Sequence, residues 1–394
     1  MKQESRYSRR WPQTDAEVSR RDFVRCCAAC GLGLALCPAF AAHLIAGQGK
    51  KNASPPGQPS LKETLFWEPA GEGRVKCTTC PNHCVRDEGG TSLCNARINK
   101  GGKLYSLTYG KPCYLDADPL TKNPLYHVAP GAEAIGIATA GCNLSCKYCQ
   151  NWSISQVGPG KTTNIELSPA DAVAKAKERK LKWITFSYTE PTVYLEYALE
   201  IARLAKESGI KVATSTSGYI CEKPLEKLME NVDAFSVTLK GYTPEFYRNV
   251  CGGNIDDVWK SIKSIAGAGK WMEIVTLIVP GMNDADDGLK SLAASVAKVS
   301  VDIPLHFPRF APAFKLQHLQ QAPVAMLERA RSIAMKEGLK YVYLSLSGHE
   351  AANSYCPGCK KIIIERAAFK VLKNNIKDGR CGGCSYKIPG LWAT

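Results

Sequence analysis

Seven short runs of apolar, β-branched and aromatic residues punctuate the chain from about residue 133 onward. They are AIGIATA (134–140), WITFSY (183–188), KVATST (211–216), DAFSVTL (233–239), MEIVTLIV (272–279), PLHFPRF (304–310) and YVYLSLS (341–347). Each has the length and composition of a strand. Between most of them apolar residues recur every three or four positions, as in PADAVAKAKERK, EYALEIARLAKES, IDDVWKSIKSIAGA and AMLERARSIAMKEG, which read as helices with one buried face. This alternation predicts right-handed βαβ units around a parallel sheet, an α/β fold. With so many repeats the sheet either opens into a doubly wound layer or curls into a full or partial barrel.

The pattern breaks at both ends of the chain. Residues 19–25 read SRRDFVR, and a stretch from Cys26 to about Ala46 lacks charged side chains. This leader, 1–46, resembles a twin-arginine export signal, with Ala39, Phe40 and Ala41 as a cleavage triplet. A retained membrane-length helix is the other reading, weakened by Pro38 and the glycines. Residues 47–60, GQGKKNASPPGQPS, have linker composition, so the folded body should begin near Leu61.

Composition sharpens the picture through cysteine and charge. The chain has 394 residues, of which 45% are hydrophobic, enough to bury a substantial core. Most of its 18 cysteines fall in C-x2-C or C-x3-C spacings, which points to metal ligation rather than a disulfide framework. The net charge of +15 raises nucleic acid as a partner. Much of that excess, however, sits in the leader (Arg9, Arg10, Arg20, Arg21, Arg25) and in the tail from Lys360 to Lys387, so no specific nucleic-acid binding is expected.

The candidate chemistry lies directly after the first strand, in GCNLSCKYCQNW (141–152). Cys142, Cys146 and Cys149 supply three thiolates in one short loop, at the strand end where α/β folds place their ligands. Three thiolates can hold three corners of a [4Fe-4S] cluster and leave the fourth iron open to substrate. A zinc knuckle completed by a distant His or Cys is the alternative. With Tyr148 just before the last cysteine, C-x3-C-x2-C resembles the radical S-adenosylmethionine (SAM) superfamily, which implies a partial (β/α)6 barrel at 131–348. The resemblance also implies that the cluster's open iron chelates the methionine end of SAM. Its one-electron cleavage then gives methionine and a 5′-deoxyadenosyl radical that abstracts hydrogen from a substrate.

Other candidates follow from the same resemblance. Thr189, Glu190 and Pro191, after the second strand, resemble the segment that meets the methionine amino group. Ser215 and Ser217 end the third strand near the expected ribose and carboxylate, and Lys240 follows the fourth. Asn283 lies in the VPGMND turn suited to the adenosyl end, and His306 and Arg309 lie on or just after the sixth strand. Turn or strand-end polarity would also account for Ser217, Lys240 and His306 taken singly.

More narrowly, TTCPNHCVRDEGGTSLCNARINKGGKLYSLTYGKP, NPLYHVAPG, YTEPT and VTLIVPGMND together resemble the radical enzyme of the AmmeMemoRadiSam system, itself similar to pyruvate formate-lyase activating enzymes. Two departures stand out: Ser217 where relatives commonly carry Asn, and Thr238 where they commonly carry Asp. The resemblance implies an electron donor such as ferredoxin or flavodoxin and a substrate that can be a protein. The chemistry implies a cytoplasmic working pool, against an exported or membrane-associated one suggested by the leader.

Two cysteine sets flank the barrel. Cys77, Cys80, Cys84 and Cys94, in a module at 61–130, form C-x2-C-x3-C-x9-C; a structural zinc is expected, with an auxiliary iron-sulfur cluster as the alternative. Cys356, Cys359, Cys381 and Cys384, in a module at 349–394, have the spacing of a zinc ribbon, with a rubredoxin-like iron as the minor reading. Cys113, Cys221 and Cys251 show no partner pattern and read as buried small apolar residues. The rival functions are a metal-binding electron-transfer protein without SAM chemistry and a zinc-ribbon interaction module on a silent barrel.

Overall fold

The structure, a computed structural model, describes residues 61–392; the twin-arginine-like leader and the linker lie outside the described residues. Eight strands form one mixed sheet: β1 (Pro112–Pro119), β2 (Glu133–Thr139), β3 (Trp183–Phe186), β4 (Lys211–Thr216), β5 (Ala234–Thr238), β6 (Trp271–Val275), β7 (Leu305–Phe307) and β8 (Val342–Leu344). Spatial order follows chain order, with β1 and β8 at the edges. β1 runs antiparallel to β2, and every later neighbour is parallel.

Six helices make the crossovers: α1 (Pro169–Glu178), α2 (Leu195–Glu207), α3 (Glu222–Met229), α4 (Ile255–Gly267), α5 (Asp286–Val299) and α6 (Val324–Lys336). All seven predicted strand runs and all four predicted helices are present. Strand β1 and helices α3 and α5 are additions. Among the described residues no helix is long and apolar enough to cross a membrane.

The middle strands are buried along nearly their whole length because both faces of the sheet are covered. The outer face packs on the helices. The helix starts at α1 and α4 are fixed by Ser168 and Asn254, whose side chains accept from the N–H groups of Asp171 and Asp256. On the other face, Ala134, Trp183, Ala213 and Ala234 pack under Leu120, Leu125, Val128 and Ala129 of the β1–β2 connection. Three alanines against one tryptophan leave room for that segment to lie across the strands.

Small modules sit before and after the sheet. Residues 61–106 form two three-stranded antiparallel sheets. Their anchor is Arg97, which donates to Glu196 Oε1 on α2 at 3.0 Å and to the Thr192 carbonyl at 3.2 Å; the side chains of Arg97 and Glu196 are each 1% exposed. At the other end β9 (Ile362–Ala367) and β10 (Lys370–Asn374) pair antiparallel. Arg366 on β9 donates to the Tyr126 carbonyl at 2.8 Å and lies over the Tyr126 ring.

Candidate active site

The loop after β2 is held from several sides. Gly141 has φ +99°, and a Cβ there would lie 2.4 Å from the Cys94 carbonyl oxygen, so only glycine lets the N-terminal module approach this closely. The N–H groups of Ser145 and Lys147 donate to the Cys251 and Val250 carbonyls, at 2.8 and 2.9 Å. Asn143 donates to the Tyr219 carbonyl at 2.6 Å, and Asn82 donates to the Asn143 carbonyl at 2.8 Å.

A cavity of about 290 Å³ opens at the carboxyl ends of β2 to β6. Its lining includes Cys142, Cys146, Cys149 and Tyr148 from the loop and Thr189 and Glu190 after β3. Ser215 and Ser217 come from the end of β4, and Thr238 and Lys240 from the end of β5. These predicted residues therefore meet in one place. Pro191 and Asn283 do not line the cavity. Pro191 begins a single turn at 191–194. Asn283 staples its own loop, accepting from the Val279 N–H at 2.6 Å and donating to the Lys240 and Leu277 carbonyls at 3.0 Å.

Glu190 differs from the sequence expectation. A carboxylate offers about four acceptor sites, and four donors already face this one. The Thr192 and Thr216 hydroxyls donate to Oε1 at 3.0 and 2.6 Å. The N–H and hydroxyl of Ser217 donate to Oε2 at 2.8 and 2.7 Å. Glu190 thus contributes a fixed negative charge and a brace for the strand ends more than a free acceptor. The segment before it is strained, since Tyr188 holds φ +66°, pinned by a hydrogen bond from Asn151 to its carbonyl at 2.7 Å.

Electrostatics single out Cys146. A hydrogen bond from Cys251 and the nearby charge of Lys240 pull its thiol down, toward thiolate, against the cost of burial. Cys142 is pushed up by burial and then by Glu190, and Cys149 by burial, offset by its 3.2 Å contact with the Ser155 hydroxyl. Burial works against the Lys240 charge, but the Cys146, Cys251 and Cys142 sulfurs keep it protonated. Cys251, expected as an inert apolar residue, therefore neighbours the loop. It stands 105 residues beyond Cys146, too far for any spacing rule to link them.

His306 does not reach the cavity. It lies on β7 with no exposed side-chain surface, and its Nε2 is 2.8 Å from Glu273 Oε2 on β6. Glu273 also accepts the N–H groups of Tyr126 and His127 at 2.9 and 2.8 Å, so this pair locks the β1–β2 connection onto the strands. Arg309 donates to the Ala322 carbonyl at 2.7 Å.

Of the three cysteine sets, the C-terminal one gathers its sulfurs most tightly among the described residues. Thiolates on one tetrahedral ion with metal–sulfur bonds of about 2.3 Å stand about 3.8 Å apart. Cys356 and Cys384 are 3.5 Å apart and Cys359 and Cys381 3.7 Å, and all four sulfurs lie within 4.8 Å of one another. That C-terminal set can hold one metal ion. Among the described residues, no other set gathers three or more ligand atoms so tightly.

Whether the cavity suits a cluster with bound SAM can be judged from its donors. Three thiols and one half-buried cation line it, and the Thr189 hydroxyl on its wall is buried without a partner. Sulfur ligands, a balancing charge and an unspent polar group match what such a pair of groups requires.

Comparison with known proteins gives the same reading. Residues 137–293 match the radical SAM superfamily. An uncharacterized protein of Methanocaldococcus jannaschii is 39% identical over 332 residues, covering 83% of this chain and 99% of its own. The pyruvate formate-lyase-activating enzyme of Clostridium pasteurianum is 27% identical over 43% of this chain and 71% of its own. The crystal structure of a radical SAM methyltransferase from Sphaerobacter thermophilus aligns with a TM-score of 0.45 at 16% identity, covering 62% of this chain and 71% of that one. A radical SAM domain spanning the strands that carry the three-cysteine loop, with activating enzymes among its relatives, makes this chain a member of the radical SAM superfamily and a radical SAM enzyme.

Proposed function

We propose that the protein is an activating-enzyme-like member of the AmmeMemoRadiSam group that abstracts hydrogen from a protein substrate. The observation that carries this reading is the meeting of Cys142, Cys146, Cys149, Thr189 and Glu190 in one cavity at the strand ends. When bound, a reduced [4Fe-4S] cluster on the three thiolates supplies one electron to SAM, giving methionine and a 5′-deoxyadenosyl radical.

The chain's own residues do the rest. Cys142, Cys146 and Cys149 hold the cluster, and Lys240 balances thiolate charge. Thr189 offers its unpartnered hydroxyl to the bound SAM. Glu190, braced by Ser217 and Thr216, would supply the negative charge for the methionine amino group of bound SAM. The narrower assignment rests on the motifs around Cys77, His127 and Glu190. The C-terminal cysteine set holds zinc in this reading, because its sulfur spacing suits bonds of about 2.3 Å.

The electron donor is a low-potential carrier such as ferredoxin or flavodoxin, and the working pool is cytoplasmic, where SAM and such carriers are kept. Cell fractionation with Arg20 and Arg21 changed to Lys tests the location; protein found outside and shortened near Ala41 would refute it. The substrate is tested by isotope transfer. Partner proteins from cells grown on deuterated amino acids are incubated with reduced enzyme and SAM. Deuterium in 5′-deoxyadenosine identifies the hydrogen donor; its absence with every protein fraction would rule out a protein substrate.

A further inference from the structure

Asp118 lies near the end of the edge strand β1, is 6% exposed, and accepts from three donors. The hydroxyls of Tyr114 and Tyr188 both donate to Oδ2 at 2.5 Å, and Lys122 Nζ donates to Oδ1 at 2.6 Å. The Tyr114 and Tyr188 rings pack with centroids 4.3 Å apart, and the Lys122 ammonium stands 5.2 Å from the Tyr188 ring centre. Burial opposes the Asp118 charge, but the hydrogen bonds from Lys122, Tyr114 and Tyr188 outweigh it and hold the carboxyl below the usual carboxylate range. A Cβ on Gly136 of β2 would stand 3.2 Å from the Tyr114 ring and 3.3 Å from Asp118 Oδ2, so glycine there leaves room for the group.

Of these four residues only Tyr188 lines the cavity. It is also the one with a costly backbone. A bulky L residue stays at φ +66° only where its surroundings oppose a return to negative φ. Tyr188 is gripped at both ends: Asn151 of the cysteine loop donates to its carbonyl at 2.7 Å, and Asp118 holds its hydroxyl. The next two residues are Thr189, with its unpartnered hydroxyl, and Glu190, and both line the cavity. A change of φ at 188 would redirect both of them.

We propose that Asp118 is a positioning residue for the SAM site: by holding the Tyr188 side chain from β1, it keeps the backbone at 188 left-handed and so aims Thr189 and Glu190 into the cavity. The proposal rests on the assignment of Thr189 and Glu190 to SAM made above. It gives the antiparallel edge strand a part in a site that Asp118 itself does not line.

The test compares Asp118→Ala, Tyr188→Gly and the double variant in the full chain, reconstituted anaerobically. Asp118→Ala frees Tyr188 to relax toward negative φ. With only about a tenth of the molecules left in the competent geometry, KM for SAM in substrate-free cleavage should rise about tenfold, while kcat and loop-cluster iron are retained. Tyr188→Phe cuts the same link from its other end and should show the same rise, which keeps the test decisive if Asp118→Ala folds poorly. Glycine adopts φ +66° without strain, so the clamp is dispensable in Tyr188→Gly. Adding Asp118→Ala to that background should change KM by less than about twofold. A parental KM in Asp118→Ala or Tyr188→Phe would overturn the proposal, and so would an equal rise in the glycine background, which would make Asp118 a general support of β1.

A second readout needs no SAM. Amide hydrogen exchange across residues 187–194, followed by mass spectrometry on the cluster-loaded protein, should quicken in Asp118→Ala, and the same change should have no effect once Tyr188 is Gly. Unchanged exchange in Asp118→Ala would overturn the clamp. This exchange pattern in a parent protein that fails to bind SAM would support the clamp and overturn the assignment of Thr189 and Glu190 to SAM.

Discussion

Glu190 and Ser217 are joined twice, the N–H and the hydroxyl of Ser217 both donating to one carboxylate oxygen, at 2.8 and 2.7 Å. This double link ties the segment after β3 to the end of β4 across the cavity wall. In Glu190→Gln the remaining carbonyl oxygen can keep Ser217, while the amide turns toward Thr192 and Thr216. The fold should survive without the charge. SAM binding should weaken by about tenfold through the loss of that charge beside the methionine amino group. Equilibrium binding to the anaerobically loaded protein measures this, and unchanged affinity would mean that Glu190 only braces the strands.

The buried Arg97–Glu196 pair should dominate the attachment of the N-terminal module. Glu196→Ala leaves an unpaired guanidinium at a position 1% exposed, a change that costs about 3–5 kcal/mol in comparable buried pairs. A double replacement, Arg97→Met with Glu196→Leu, should recover much of that loss. Urea unfolding under one metal-loading protocol compares the two, and a double variant as unstable as the single would contradict the assignment.

The folded-state pKa of His127 is lowered, chiefly by burial, from 6.5 to about 4. The unfolded chain therefore binds a proton between those values that the folded chain refuses, so stability falls as pH drops through that window and levels off below it. The shift is worth about 3 kcal/mol. His127 Nδ1 lies 2.7 Å from the Pro389 carbonyl and Nε2 2.6 Å from the Tyr343 hydroxyl, so His127→Gln will lower stability overall. The diagnostic is the slope: the variant should lose less stability than the parent between pH 6.5 and 4. Parallel curves would show that His127 does not titrate as its burial requires.

The parallel strands were legible because hydrophobic period and length carry that information directly. Strand β1 was not. PCYLDADP has prolines at both ends and two acidic residues, and as an edge strand it needs no apolar run. Helix α5 was hidden by its small residues and Gly288, where a Cβ would strike the Tyr242 ring. The three thiols and Glu190 were legible as strand-end residues, but the saturation of Glu190 depends on Thr216 and Ser217 across the sheet. His306 was misplaced for a different reason. Where both faces of a strand are buried, no polarity pattern tells which way a histidine points, and Glu273, the partner that draws it inward, is fixed only by strand pairing.

The most direct measurement is cleavage of SAM in the absence of substrate. Anaerobically reconstituted protein, reduced with dithionite, should convert SAM to 5′-deoxyadenosine and methionine in equal amounts, and Cys146→Ala should yield neither. A parent protein with its loop cluster fully loaded and reduced that releases no 5′-deoxyadenosine would contradict the assignment of this cavity to SAM cleavage.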